Sequence, residues 1–311
     1  MMLHAFADTS KDAIALDVVA LHALDGYLAE LDAAQQAWWH AMHSKPSHGS
    51  WAAIPDASGA VQRVLAVLDA KDEQAVWQFG AWVGCFPKAV YAVKLHALDL
   101  NLEHVCLAWG MGAYHFDQYR EVERQSAQMV WPDAAMAKPC QAWLRSIAWV
   151  RDLINTPAND CHPAMLAEQA KQLSDDFDGQ SVLYMGDDLA QSFPAVHAVG
   201  RASDYPPRLI SCTFGQADHP SVVLVGKGVC FDTGGLDLKP TKGMADMKKD
   251  MGGAAHALGL ARYLLDMALP IKLTVIIPMV ENSVAGNAYR PGDVIASRAG
   301  LSIEINNTDA E

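Results

Sequence analysis

VGKGVCFDTGGLDLKPTKGMADMKKDMGG, residues 225–253, holds five lysines and four aspartates among its glycines. The apolar run SVVLV leads into it, and GGAAHALGLARYLLDMAL, which reads as a long helix, leads out of it. A charged, glycine-studded segment between a strand and a helix is usually a solvated loop. In an open α/β sheet it is also where ligands bind, beyond the C-terminal ends of the strands.

Outward from this stretch, strands and helices alternate. SVLYM (181–185), RLISCTF (208–214), SVVLVG (221–226), KLTVIIPMV (272–280) and LSIEIN (301–306) read as strands, and CHPAMLAEQAKQL as a helix. Continuous apolar runs alternating with helices predict a mostly parallel sheet covered on both faces. Upstream, CQAWLRSIAWVRDLINTP carries Trp143, Ile147, Val150 and Ile154 at helical spacing and ends at Pro157. WPDAAMAKP (131–139) is the expected boundary. Before it, VQRVLAVLDA, AVYAVKL and HVCLAWGMG are apolar runs alternating with helix-like stretches such as KDEQAVWQFGAWV. The fold class is therefore α/β: a small N-terminal α/β domain (1–135), a connecting helix (136–157) and a mostly parallel-sheet α/β domain (158–311).

The 311 residues suit two cores. A formal net charge of −13 opposes nucleic acid and anionic membranes, since binding to either begins with phosphate neutralisation. The six cysteines are scattered with no CxxC pair, which predicts buried reduced thiols. The N-terminus shows no signal peptide, and no apolar run is long enough to cross a bilayer. A soluble cytoplasmic protein is expected. The tryptophans read as core filler, and His96, His104 and His115 as isolated core or surface residues.

Three strand ends carry polar groups: Lys227 and Asp232 after SVVLV, Glu281 and Asn282 after the fourth strand, and NNTDAE (306–311) after the fifth. Asp250 stands at the start of the long helix. Parallel neighbours would bring Lys227, Asp232, Asp250, Asp309 and Glu311 into one crevice. Four carboxylates need compensation there, and two divalent cations supply it. Carboxylate-rich ligation suits Mn or Mg, and Zn also fits. Two such ions polarise a carbonyl and generate hydroxide, which is hydrolytic chemistry. Lys239, beyond a Gly-Gly turn, reaches back to stabilise an oxyanion. A solvated loop and a phosphate cradle are the rivals, although GxxxxGK[ST] is absent.

VGKGVCFDTGGLDLKP, MADMKKDMGGAA, ENSVAGNAYRPGDVI and NNTDAE, in this order and spacing, resemble the leucyl aminopeptidase (cytosol aminopeptidase) family. DLINTPAND and LAWGMGAYHFDQYR fit it too, so the resemblance covers about residues 105–311. It implies a metal-dependent aminopeptidase acting on peptides with a free N-terminus, usually hexameric. By position, Lys227, Asp232, Asp250, Asp309 and Glu311 match ligands of two divalent ions (Mn or Zn), with Asp232 and Glu311 bridging. Lys239 matches the catalytic lysine, and Met247 a residue of the pocket for the first side chain. In the family, Gly-Arg-Leu follows NTDAE, and its arginine holds a bicarbonate. This chain stops at Glu311, so the resemblance implies a C-terminally shortened form in which that arginine is absent. The alternative is a catalytically inactive remnant that serves as an interaction or regulatory module.

Overall fold

The computed structural model describes residues 2–8, 11–120 and 127–311. Its contacts divide the chain into two compact units, Met1–Ala148 and Trp149–Glu311.

The first unit is built on strands β1 (Phe6–Ala7), β2 (Ile14–Ala20), β3 (Trp51–Pro55), β4 (Val61–Leu68), β5 (Val90–His96) and β6 (Gln128–Val130). They form one sheet in the order β1-β6-β5-β2-β4-β3, parallel except where β3 meets β4. Successive side chains point to opposite faces of a strand. Val18, Val64 and Ala66 therefore enter one core with Phe79, Trp82 and Trp109, while Val19, Leu65 and Val67 enter another with Leu28 and Trp39. That two-sided burial is why these strands read as unbroken apolar runs. Trp39, Trp82 and Trp109 are fully buried core filler, as expected, whereas Trp38 and Trp77 are exposed. HVCLAWGMG lies within a helix, Leu102–Gly112, capped by the Asn101 side chain. Its apolar density reflects burial in the core rather than a strand.

A helix at Ala134–Asn155 starts inside the Pro- and Ala-bearing stretch. Leu144 packs in the first unit's core and Leu153 in the second's. The helix Pro163–Asp176 follows, capped by His162.

The second unit contains β7 (Gln180–Met185), β8 (Arg208–Phe214), β9 (Ser221–Val225), β10 (Gly228–Asp232), β11 (Lys272–Asn282), β12 (Val294–Ala296) and β13 (Ser302–Glu304). Here the expectation of a mostly parallel sheet needs correcting in detail. β9 and β10 run parallel to β11, but β8 is antiparallel to both β7 and β11. A strand between two others with both faces covered is apolar whichever way it runs, so composition alone did not reveal its direction. LSIEIN also departs from expectation: its β13 pairs with β12 in a separate two-stranded ribbon. The long helix spans Gly252–Asp266 and buries Ala254, Ala255, Leu258 and Ala261. Among the described residues, no helix is long and apolar enough to cross a membrane. Five of the six cysteines are buried thiols, and Cys85 is exposed.

Candidate metal centre

β9 and β10 pair with consecutive stretches of β11, and the chain breaks from the ladder between them at Gly226-Lys227. The glycines are needed there for close approach. A Cβ on Gly226 would stand 2.6 Å from the Ala254 Cα, and one on Gly253 would stand 2.9 Å from the Lys227 nitrogen. The Ala254 N–H donates to the Lys227 carbonyl over 2.8 Å. The start of the long helix thus packs directly on the break. Gly234 and Gly235 differ, with φ of +85° and +63°, a region that side chains disfavour. They turn the chain after Asp232, and the Lys239 N–H closes the loop on the Thr233 carbonyl at 2.9 Å.

This backbone brings together the five residues proposed as ligands, with Lys239. The Lys227 Nζ lies 2.7 Å from Glu311 Oε1 and 3.1 Å from Asp250 Oδ2. The Lys239 Nζ lies 2.9 Å from Asp232 Oδ2 and also meets Asp309 Oδ1. Each lysine therefore stands between two carboxylates. Asp232, Asp309 and Glu311 each place a carboxylate oxygen within 4.8 Å of the others. Asp232 is almost completely buried, held by the Gly234 N–H at 2.8 Å and the Asn282 amide at 2.9 Å, both on Oδ1.

The electrostatics are unbalanced. Four carboxylates face two lysines, a formal excess of two negative charges. Burial pushes the Glu311 carboxyl up to about 7, with Lys227 opposing the rise and Asp250 adding to it. Burial pulls Lys227 down, but the adjacent Glu311 and Asp250 carboxylates outweigh it and hold the amine above its ordinary value. Lys239 is held well above the usual lysine range, first by Asp232 and then by Asp309. Asp250 Oδ2, Asp309 Oδ1 and both Glu311 side-chain oxygens are buried without a hydrogen-bond partner. The lysine contacts satisfy charge but not hydrogen-bond geometry. Buried anionic oxygens in excess over cations, and lacking donors, form a donor set that fits hard or borderline divalent ions.

Met247 is half-buried at the start of the short 3-10 turn Met247–Met251 that carries Asp250. A cavity of about 680 Å³ borders the Lys227–Glu311 side, lined by apolar residues such as Val199, Val225 and Ile303, and Met247 is not part of its lining.

The sequence reading left Asp237, Tyr289 and the role of Thr308 unrecognised. Thr308 is fully buried and ties the two site segments together. Its Oγ donates to the Gly234 carbonyl at 2.7 Å, and its N–H donates to Asp237 Oδ2 at 2.8 Å. The Asp237 N–H returns a bond to Thr308 Oγ at 2.9 Å. The one signal was an aspartate flanked by two leucines in a loop, which composition does not interpret.

A two-unit α/β chain with a partly buried cluster of carboxylates and lysines at the strand ends is the class these observations define. Residues 148–311 match the catalytic domain of the cytosol aminopeptidase family, and residues 14–132 match the M17 aminopeptidase N-terminal domain. The chain belongs to the cytosol aminopeptidase (M17) family. A probable cytosol aminopeptidase of Pseudomonas fluorescens strain SBW25 is 40% identical over 215 residues, which are 64% of this chain and 43% of that protein. The crystal structure of a cytosol aminopeptidase from Coxiella burnetii matches with a TM-score of 0.94 and 41% identity, over 99% of this chain and 67% of that one. The bottromycin maturation enzyme BotP in complex with Mn matches with a TM-score of 0.79 and 26% identity, over 96% of this chain and 66% of that one. The chain thus spans less than half the length of the curated relative and about two thirds of the solved structures.

Proposed function

We propose that this chain carries the centre of an aminopeptidase that releases N-terminal amino acids from peptides with the help of two divalent ions. The observation that carries the reading is the cluster of four carboxylates against two lysines, three of them with buried oxygens that accept no hydrogen bond. Asp232, Asp250, Asp309 and Glu311 would hold the ions, Mn or Zn, with Lys227 joining them only as a neutral amine once an adjacent cation displaces its proton, and the Mn complex of BotP supports Mn. When bound, such ions supply Lewis acidity and an activated water at neutral pH.

The chain's own residues do the rest. The donors on Asp232 Oδ1 orient its carboxylate, so that Oδ2 points towards Lys239. Lys239 is the ammonium available to hold the scissile carbonyl oxygen as negative charge develops on it. A substrate's free α-amine would offer a lone pair to one of the ions, which an internal peptide bond does not, and this would favour release from the N-terminus. Met247 contributes to the pocket for the first side chain.

The test is hydrolysis of leucine amide by the purified chain with and without Mn²⁺, beside Asp250→Ala. Mn²⁺-dependent turnover that the variant loses is expected. Turnover indifferent to Mn²⁺, or undiminished in Asp250→Ala, would overturn the reading, as would failure of the chain to bind Mn²⁺ by calorimetry.

A further inference from the structure

Asn282 is the last residue of β11 and is completely buried, on the same face of the strand as the buried Val280. An amide at such a position costs stability unless its hydrogen bonds are made. In the parallel register it lies directly opposite Asp232 on β10. Its Nδ2 donates to Asp232 Oδ1 at 2.9 Å and to the Thr308 carbonyl at 2.8 Å. Both neighbours are acceptors, so the nitrogen must face them. The Oδ1 on the other side is buried with no donor. The backbone of Asn282 is committed as well: its carbonyl accepts from the Thr233 N–H at 3.0 Å and from Thr233 Oγ at 2.7 Å. The Thr308 carbonyl takes a second donor, the Tyr289 hydroxyl, at 2.7 Å.

One amide therefore joins a carboxylate at a strand end to the peptide plane that precedes Asp309. A leucine would fill the position without burying an unpaired oxygen, so packing does not account for the residue. From this placement we infer that Asn282 is a positioning residue of the metal centre, fixing the spacing of Asp232 from Asp309 and Glu311. The inference rests on the reading of the site proposed above. A side chain that orients a metal ligand from behind sets metal affinity without touching substrate.

The test is Mn²⁺ titration by calorimetry of the unmutated chain, Asn282→Leu, Asn282→Asp and Tyr289→Phe. Circular dichroism of each metal-free protein runs alongside it. Asn282→Leu should weaken Mn²⁺ binding by about ten- to a hundredfold with the metal-free fold retained. Asn282→Asp should weaken it further, because an ionised carboxylate donates nothing and repels Asp232. Tyr289→Phe removes a donor from Thr308 but none from Asp232, so it should have a smaller effect. It also keeps the inference testable if Asn282→Leu misfolds. In active protein, kcat should fall while KM for leucine amide stays within about twofold, since the residue orients a ligand and not the substrate. Unchanged Mn²⁺ affinity in Asn282→Leu, or tighter binding in Asn282→Asp, would overturn the inference alone. So would a loss that only tracks unfolding of the metal-free protein. An unmutated chain that binds no Mn²⁺ would overturn the metal-centre reading, and this inference with it.

Discussion

Each unit of the molecule buries charge on strands of its sheet, and the two do so in opposite ways. In the first, Asp17 on β2 is nearly inaccessible and fully answered. His96 Nε2 lies 2.8 Å from one oxygen and the Arg63 guanidinium 3.4 Å from the other. Arg63 also donates to the Tyr27 hydroxyl at 3.1 Å. Burial, followed by the nearby Asp17 charge, pushes that hydroxyl up to about 12. One carboxylate has two basic partners that meet both of its oxygens, so its charge is closed off within the protein, although Arg63 Nε itself is buried without a partner. In the second unit, four carboxylates share two lysines and leave several buried oxygens without donors. A closed network is a structural element. An open one of the same residue types has room for a ligand of the missing sign.

The comparison can be broken most severely at Asp232. Asp232→Ala removes an almost completely buried carboxylate and leaves Lys239 facing Asp309 alone, so calorimetry should show loss of at least one Mn²⁺ equivalent and leucine amide hydrolysis should cease. Lys239→Met should reduce kcat by about a hundred- to a thousandfold, the scale of removing one oxyanion donor. Mn²⁺ affinity should not fall, because the substitution removes a positive charge from between two carboxylates. A parallel loss of affinity would show that Lys239 shapes the centre rather than serving the carbonyl. Asp17→Asn belongs to the closed network and should cost about 1–3 kcal/mol of stability in thermal or urea unfolding, leaving Mn²⁺ affinity unchanged. A shift in Mn²⁺ affinity there would end the distinction between the two clusters. Smallest of all, Lys171→Ala removes an exposed i,i+4 partner of Asp175 and should leave both unfolding and metal binding as they were.

Much of the site was legible because its chemistry is concentrated in short segments. Lys227, Asp232, Lys239 and Asp250 lie within one charged stretch, and Asp309 and Glu311 within another. Excess carboxylate in a loop after an apolar strand has few physical explanations. The glycines were legible only in part. Gly234 and Gly235 take the turns expected of them, but Gly226 and Gly228 have ordinary φ and are needed because neighbouring backbone leaves no space for a Cβ. His96 reads as isolated along the chain, yet it pairs with Asp17 across 79 residues of sequence. The direction of β8 was also out of reach, since apolar content reports burial and not orientation.

The sequence alone determined the α/β class, the family resemblance and the identity of the charged residues around the centre. The first follows from local periodicity, the second from motifs in a fixed order and spacing, and the third from residue types that water-exposed loops do not require. Only the tertiary structure decided which lysine stands between which carboxylates, which strand of the second sheet is reversed, and that Asn282 and Thr308 bind the two site segments together. Those facts depend on register and on contacts between segments dozens of residues apart. A side chain's partners across a sheet are set by packing of the whole unit, and no local pattern of residues encodes them.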